Sequence, residues 1–282
     1  MTARPEHFCA FSFVDRITSS EEGSSIRGCY TIPPKVDTFP VSLAAEAVGQ
    51  LAAWAAMEAV EFSHRPVAGI AGKIELLSMV RPGQVLALAA DLESVDTDTV
   101  GYSGIATADG VPVIRLFDCV GPMVPLEDFD DPRTVREHCN RLRADGAVPG
   151  RFHGLPDLAV KTAEGVTAEL AVARLRVPSD ASFFADHFPR RPVFPGTLLT
   201  HAKLEAATML AAKQVSTTGL SWLPRTISDV KLRSFISPDE TLDIRVERTF
   251  CSESRLSVAV ESWIGPKLVG SADIHFASTA LQ

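Results

Sequence analysis

The chain has 282 residues, 46% of them hydrophobic and 22% charged, a composition typical of a globular protein with a sizeable core. The formal net charge of −8, from 27 basic and 35 acidic residues, argues against general nucleic-acid binding. The amino terminus lacks the basic-then-apolar order of a signal peptide, and five scattered cysteines suggest neither a zinc site nor a disulfide framework, so we expect a cytoplasmic protein without a metal.

The first half of the chain combines one long helical pattern with several strand patterns. Residues 26–32 alternate as a strand does, and residues 42–54 form an apolar helical run that Ser42 is placed to cap. The remaining strand patterns lie at 67–79, 85–95, 100–106 and 111–120, with turns at 81–84 and 109–110. One buried helix against a series of antiparallel strands indicates an α+β layer arrangement.

Glu46 is unusual because it lies inside the apolar helical run. A buried carboxylate without a partner is costly, and burial raises its pKa, so such a residue needs either a partner or a chemical task. The alternative interpretation is a glutamate whose side chain reaches solvent at the end of the helix.

Residues 125–154 form a connector rich in charge, proline and glycine, with a short helix that begins at the Asp131-Pro132 step. The second half then repeats the pattern of the first. Strands are predicted within 155–177 and at 225–235, 241–249, 256–264 and 268–276, with a helix at 197–213. Aligning the helices places Glu46 over His201, an offset of 155 residues, and the proline turns after the helices give 156. This agreement indicates an internal duplication.

A proline-rich segment precedes the second helix. Residues 183–199 read Phe-Phe-Ala-Asp-His-Phe-Pro-Arg-Arg-Pro-Val-Phe-Pro-Gly-Thr-Leu-Leu, with His187 between aromatic residues and prolines that hold the backbone extended. Gly196 falls at the helix start, where a backbone N–H has no intrahelical acceptor. A fixed imidazole beside an exposed N–H donor suits removal of a proton next to a carbonyl. The alternative is a partly buried histidine packed in a loop.

Residues 187–196 resemble the His-Phe-Pro-x-x-Pro-Val-x-Pro-Gly signature of the β-hydroxyacyl-ACP dehydratases of fatty-acid synthesis, which have the hot-dog fold. Residues 46–50 resemble the Glu-Ala-Met-Ala-Gln stretch of the same family. The resemblance and the duplication imply an α+β double hot dog, in which a continuous antiparallel sheet wraps two long central helices. The predicted units are an N-terminal hot dog at 1–124, a linker at 125–154 and a C-terminal hot dog at 155–282.

The two halves differ in the residues that carry the family's chemistry. In the family the catalytic Glu lies fourteen residues after the His, and each site of a dimer takes its His from one subunit and its acid from the other. Here position 201, fourteen residues after His187, is histidine, and position 32, fourteen residues before Glu46, is isoleucine. Only His187 and Glu46 together complete a site, so the resemblance implies one site shared between the halves. At the second site, Ile32 offers no base and His201 is expected to have no partner.

The resemblance also implies the roles of the site residues. His187 removes the α-proton of a 3-hydroxyacyl thioester, and Glu46 protonates the leaving hydroxyl. The Gly196 N–H binds the thioester oxygen, the Val193 carbonyl fixes the His187 tautomer, and Gln50 orients Glu46. The expected products are a 2-enoyl thioester and water, formed without a cofactor while phosphopantetheine carries the substrate.

An acyl carrier protein is the partner that the resemblance implies. Because the chain is acidic overall, docking of an acidic carrier needs a local basic patch, although ordinary solvated surface explains the same residues equally well. The candidates are Arg190, Arg191, Arg225, Lys231 and Arg233. No nucleic-acid or membrane partner is expected, and a homodimer of double hot dogs is left open, as are the acyl chain and the choice between fatty-acid and polyketide assembly.

Two other functions fit parts of the pattern. A hot-dog thioesterase also uses a helix-start N–H and a carboxylate, but it delivers water to the carbonyl and releases free thiol. A catalytically silent acyl-binding partner of a larger synthase would fit the loss of half the motif positions. The signature around His187 speaks against the thioesterase, and the retention of both His187 and Glu46 speaks against the silent partner.

Overall fold

A computed structural model of the chain describes residues 7–156, 158, 160–162, 166–218 and 221–279. Parts of the predicted units, at 1–6, 280–282 and within the predicted strand region 155–177, lie outside the described residues. The helices are α1 (Val41–Ala59), α2 (Pro132–Arg143) and α3 (Gly196–Thr218). None of the helices in the described ranges is both long and apolar enough to span a membrane.

The strands of the first half are β1 (Arg16–Glu21), β2 (Ser25–Thr31), β3 (His64–Pro66), β4 (Ile70–Leu76), β5 (Val85–Val95), β6 (Thr99–Ala108) and β7 (Val111–Pro125). The later strands are β8 (Lys161–Thr162), β9 (Leu170–Arg176), β10 (Ser221–Leu232), β11 (Thr241–Cys251), β12 (Arg255–Ile264) and β13 (Lys267–Thr279). Most follow the predicted alternation, in which one face of each strand is buried and the other is not.

All these strands join one antiparallel sheet, in the order β1-β2-β5-β6-β7-β4-β10-β13-β12-β11-β9-β8, with β3 paired to the end of β7. The two halves meet where β4 pairs with β10, with Ile74 opposite Ile227. The continuous sheet predicted for a double hot dog is therefore confirmed. Sharing the sheet removes the exposed edge that each half would otherwise present at this junction.

The helix α1 is buried on nearly every side because its sequence is apolar and rich in alanine, which favours helix and packs closely. It contacts α3, and the sheet covers both. The prediction that Ser42 caps α1 is wrong. The helix begins one residue earlier at Val41, after Pro40, and the Ser42 side chain is buried within the first turn.

The predicted strand at 67–79 is broken in the structure into β3 and β4. Pro66 ends β3 because proline cannot donate a ladder hydrogen bond, and residues 67–69 leave the sheet. At Gly69 a Cβ atom would lie 2.9 Å from the Val120 carbonyl oxygen, so only glycine lets the backbone pass so close to β7. This break matters because residues 67–69 line the cavity that also holds Glu46 and His187.

The connector contains α2, as predicted. The Asp131 carboxylate accepts a hydrogen bond from the Thr134 N–H at 2.8 Å, and Pro132 is the first helical residue. Arg143, at the end of α2, pairs with Glu58 near the end of α1. The linker helix is thus held against the first half. The division into units at 1–124, 125–154 and 155–282 stays a prediction.

Candidate active site

His187 lies in the segment between a short 3₁₀ turn at Ser182–Ala185 and the start of α3. Its Nδ1 lies 2.8 Å from the Val193 carbonyl oxygen, the contact expected from the motif. A carbonyl only accepts, so Nδ1 carries the hydrogen and Nε2 keeps its lone pair. Burial lowers the pKa of His187 to about 4, although the Val193 contact opposes this shift. The imidazole is therefore neutral at neutral pH.

Glu46 projects from α1 toward the start of α3. Its Oε2 accepts a hydrogen bond from the Thr197 hydroxyl at 2.5 Å, and its Oε1 accepts one from Gln50 Nε2 at 2.9 Å. Burial raises the pKa of Glu46, while the hydrogen bonds from Thr197 and Gln50 oppose the rise. A carboxyl group with a raised pKa is suited to donate a proton.

Gln50 holds Glu46 in one orientation because all of its amide groups are engaged. Its Nε2 also donates to the Phe11 carbonyl oxygen at 2.9 Å, and its Oε1 accepts from the Phe13 N–H at 2.8 Å. Flipping this amide would break every one of these bonds. The geometry gives Gln50 the orienting contact that the sequence predicts.

Glu46 and His187 line one cavity of about 230 Å³, together with Gln50, Thr197 and Gly196. Gly196 is the first residue of α3, so its N–H has no intrahelical acceptor. A Cβ atom at this position would lie 2.4 Å from Leu232 Cδ1. A side chain here would therefore have to displace Leu232, whereas glycine leaves the backbone at the start of α3 open to the cavity.

Among the polar residues of this cavity to which the sequence analysis gave no role are Thr197, Arg65 and Asp186. The sequence analysis gave Thr197 no role, and its hydroxyl contacts the acid Glu46. Asp186 stands directly before His187, and its carboxylate accepts hydrogen bonds from the N–H groups of Phe8 at 2.5 Å and Phe11 at 2.6 Å. Its position beside the histidine is the one sequence signal that pointed to it.

Asp186 fastens the amino-terminal segment over the cavity, since Phe8, Phe11 and Ser12 all line it. We expect Asp186→Ala to destabilise the protein by about 1–3 kcal/mol because two backbone donors lose their acceptor. Hydrogen exchange of the Phe8 and Phe11 amides, with urea unfolding alongside, measures this. Asp180→Ala, at an exposed aspartate, is the control. Unchanged protection of both amides would contradict the role given to Asp186.

The predicted basic patch is only partly assembled. Arg190 pairs with Asp131 at 3.3 Å and donates to the Glu127 carbonyl at 2.6 Å, which engages part of its charge. Arg191 lies over the rings of Phe129 and Phe235, with its Cζ 5.3 and 5.0 Å from the centroids. Phe235 is 37% exposed and lines the cavity, so this pair marks its opening.

The other basic candidates follow β10. Lys231 lies opposite Ile70 of β4, and Arg233 comes directly after the strand, its N–H bonded to the Val269 carbonyl. Arg225 is exposed but lies six residues before Lys231, about 20 Å along an extended strand. Phe235, at the cavity opening, is two residues from Arg233 and ten residues from Arg225.

The second site differs from its prediction in one respect. Ile32 is fully buried and offers no base, as expected. His201 lines a separate cavity of about 420 Å³, and its Nε2 lies 3.5 Å from Glu205 Oε1. The expectation that His201 has no partner is wrong, because Glu205 follows one helical turn later and faces the same side.

Comparison with solved structures places the fold. A protein described as an oleoyl thioesterase from Lactobacillus plantarum superposes with a TM-score of 0.59 at 10% identity, over 92% of this chain and 98% of that one. The dehydratase domain of PpsC from Mycobacterium tuberculosis, in complex with C12:1-CoA, gives a TM-score of 0.54 at 16% identity, over 96% and 100% of the two chains. At such identities the likeness concerns the fold alone, and it defines a double hot dog.

Sequence comparison is more specific. A family model described as ApeI-like, ApeI dehydratase, matches residues 163–263. The 3-hydroxyacyl-[acyl-carrier-protein] dehydratase FabZ of Lactiplantibacillus plantarum is 30% identical over 108 residues, which cover 38% of this chain and 74% of the relative. The chain belongs to the hot-dog family of 3-hydroxyacyl-[acyl-carrier-protein] dehydratases.

Proposed function

We propose that the chain converts a 3-hydroxyacyl thioester, carried on the phosphopantetheine of an acyl carrier protein, to the 2-enoyl thioester. One observation carries this proposal: a single cavity receives His187 from the second half and Glu46 from the first. Each side chain is held by its own hydrogen bonds, and neither half supplies both.

The reaction begins at the α-carbon. His187 Nε2 takes the α-proton, and the electron pair moves toward the thioester carbonyl, whose oxygen gains negative charge. The Gly196 N–H at the start of α3 is the donor for that oxygen, where the helix dipole also favours negative charge. The negative charge that develops on the thioester oxygen also stabilises the imidazolium as it forms. This raises the basicity of His187, whose pKa is lowered by burial.

The reaction ends at the β-carbon. Glu46 gives its proton to the β-hydroxyl, the C–O bond breaks, and the electron pair left at the α-carbon forms the double bond. Water leaves, His187 is imidazolium and Glu46 is carboxylate, so the two charges balance. Gln50 and Thr197 keep the carboxylate oxygens in place through this change. Elimination of water is redox-neutral, and we propose no metal or redox cofactor.

The carrier protein is the proposed partner, and we place its docking at the cavity opening beside Arg191 and Phe235. Arg190, Lys231 and Arg233 stand near this opening in sequence and add positive charge to it. Local positive charge at the opening would favour an acidic carrier even though the chain as a whole is acidic.

The test is turnover of a 3-hydroxyacyl carrier protein, or a short thioester mimic, by the intact chain. Product is followed both as enoyl thioester and as free thiol. We expect enoyl thioester without release of thiol. Release of thiol would instead indicate a thioesterase, and binding without either product would indicate a silent acyl-binding protein.

The second cavity provides a further prediction about the number of sites. We expect His201→Glu to add no second activity, because the buried Ile32 leaves no base to start removal of the α-proton. Turnover per chain should stay at the value of one site. A doubled rate, measured with enzyme concentration determined by amino-acid analysis, would show that the second site is active.

A further inference from the structure

Arg65 is a buried cation in the wall of the cavity that holds Glu46 and His187. It lies on the three-residue strand β3, where it pairs with Val124 at the end of β7. Only 15% of its side chain is exposed. Burying a charge is costly unless it is fully paired, so its contacts need to be accounted for.

The pairing of Arg65 is incomplete. Its Nη1 lies 3.8 Å from the Asp130 carboxylate, which His7 also approaches at 3.2 Å. Its Nε has no hydrogen-bond partner among the residues that the structure describes. Burial lowers the pKa of Arg65 to about 10, so the guanidinium stays charged at neutral pH. The fold therefore retains a positive charge in the cavity at a cost that ion pairing does not fully offset.

A stack of planar groups connects this charge to the base. The Arg65 Cζ lies 3.7 Å from the centroid of the Phe188 ring, a cation–π contact. The Phe188 ring stacks on the His187 imidazole, with centroids 4.2 Å apart and planes inclined by 22°. Phe129 meets the Phe188 ring edge-on at 5.4 Å. The ring that holds the face of the imidazole is thus itself held by Arg65.

The charge of Arg65 acts on both members of the proposed pair. It contributes to the lowered pKa of His187, whose larger cause is burial, and it opposes the rise that burial imposes on the pKa of Glu46. The other titratable groups of this cavity are Asp130, Asp186, Tyr102 and Cys119. Asp130 partly neutralises the guanidinium, while Asp186 is turned to the N–H groups of the amino-terminal segment.

We propose that Arg65 is a positioning residue of the dehydratase site, which orients His187 through Phe188 and biases the site toward a neutral imidazole and an ionised Glu46 product. This inference rests on the proposed function. Arg65 would join Glu46 and Gln50 as a residue of the first half that acts at this site, and it would act on His187 of the second half. In the reaction His187 becomes imidazolium and Glu46 becomes carboxylate, so Arg65 opposes the first change and favours the second.

The test separates the charge of Arg65 from its planar contact. Arg65→Met removes the charge and keeps the bulk, whereas Arg65→Lys keeps a charge and loses the planar stack. In a bell-shaped pH profile of kcat/KM, the acid limb reports the base and the alkaline limb the acid. We expect Arg65→Met to move both limbs to higher pH, by roughly half a unit to one unit. We expect Arg65→Lys to leave the limbs in place and to lower kcat.

A readout without turnover keeps this test independent of the proposed function. NMR titration of the His187 imidazole in the intact chain should give a higher pKa in Arg65→Met than in the wild type, and an unchanged pKa in Arg65→Lys. Should the wild type lack dehydratase activity, the proposed function fails while the titration still decides the role of Arg65.

The double variant Arg65→Met with Asp130→Asn guards against misfolding, since it leaves no unpaired carboxylate behind. Thermal unfolding of every variant shows whether the fold persists. An equal His187 pKa in the wild type and in the folded Arg65→Met variants, or full kcat in Arg65→Lys, would overturn the assignment.

Discussion

His187→Ala and Glu46→Gln are each expected to lower turnover of a 3-hydroxyacyl thioester about 10²–10⁴-fold, the usual cost of losing a general base or acid. In the first variant no group takes the α-proton. In the second the amide keeps the size of the carboxyl group and its place between Gln50 and Thr197, but it has no acidic proton to give. The loss should fall on kcat, because neither change removes the cavity that binds the acyl chain.

The matched control for both variants is His201→Ala. His201 occupies the position in α3 that corresponds to Glu46 in α1, yet it lines a different cavity. Its removal should leave turnover within about twofold of the wild type, and unfolding by urea should confirm that all three variants remain folded. Turnover near the wild-type value in His187→Ala or in Glu46→Gln would show that the role given to that residue is wrong.

The pH dependence of the wild type follows from the same two groups. His187 must be neutral, and its pKa of about 4 places the acid limb well below neutral pH. Glu46 must be protonated, and burial raises its pKa, so activity should fall as pH rises through that value.

The parts of the site that could be predicted from the sequence are those within one short motif. The contact between His187 and Val193 spans six residues, and that between Glu46 and Gln50 spans one helical turn. Local spacing fixes such contacts before any tertiary packing is known. The shared sheet was also predictable, because the sequence repeats with an offset of 155 residues. The structure has the same offset, since α1 begins at residue 41 and α3 begins at residue 196.

The missed residues meet their partners across the chain. Asp186 binds N–H groups 178 and 175 residues away, and Thr197 reaches Glu46 from 151 residues away. Arg65 stands on a strand that forms only because β7 continues to Pro125. No periodicity marks a three-residue strand, and no spacing rule relates Arg65 to Phe188. Glu205 is a different case, since its spacing of four residues from His201 on one helix was available from the sequence.

Lys203→Met is expected to raise the free energy of unfolding by several kcal/mol near pH 7. Lys203 lies on α3 with no exposed surface, and its Nζ has no hydrogen-bond partner among the described residues. The Nζ packs against the backbone of β13, 2.9 Å from where a Cβ atom of Gly270 would lie. Methionine matches the unbranched length of lysine and places no charge there.

The physical reason is the difference in proton affinity between the folded and unfolded chains. Burial, with the positive charge of Arg233 in the same direction, lowers the pKa of Lys203 to about 7. In the unfolded chain the pKa is about 10.4, and one pKa unit corresponds to about 1.36 kcal/mol. The lysine therefore costs the fold about 4 kcal/mol at pH 7, and methionine should recover a large part of this.

The dependence on pH distinguishes this cause from a simple improvement in packing. Between pH 7 and 10.4 the unfolded chain binds more protons at Lys203 than the folded chain, so the destabilisation caused by this residue falls as pH rises. At pH 9.5 the cost falls to about 1 kcal/mol, and the advantage of Lys203→Met over the wild type should shrink accordingly. Urea unfolding of both proteins at pH 7 and 9.5 measures the change.

Lys267→Met, at an exposed lysine in the β12–β13 hairpin, should stay within about 0.5 kcal/mol of the wild type at both pH values. An advantage of Lys203→Met that is equal at the two pH values would assign the effect to packing and remove the buried charge as its cause.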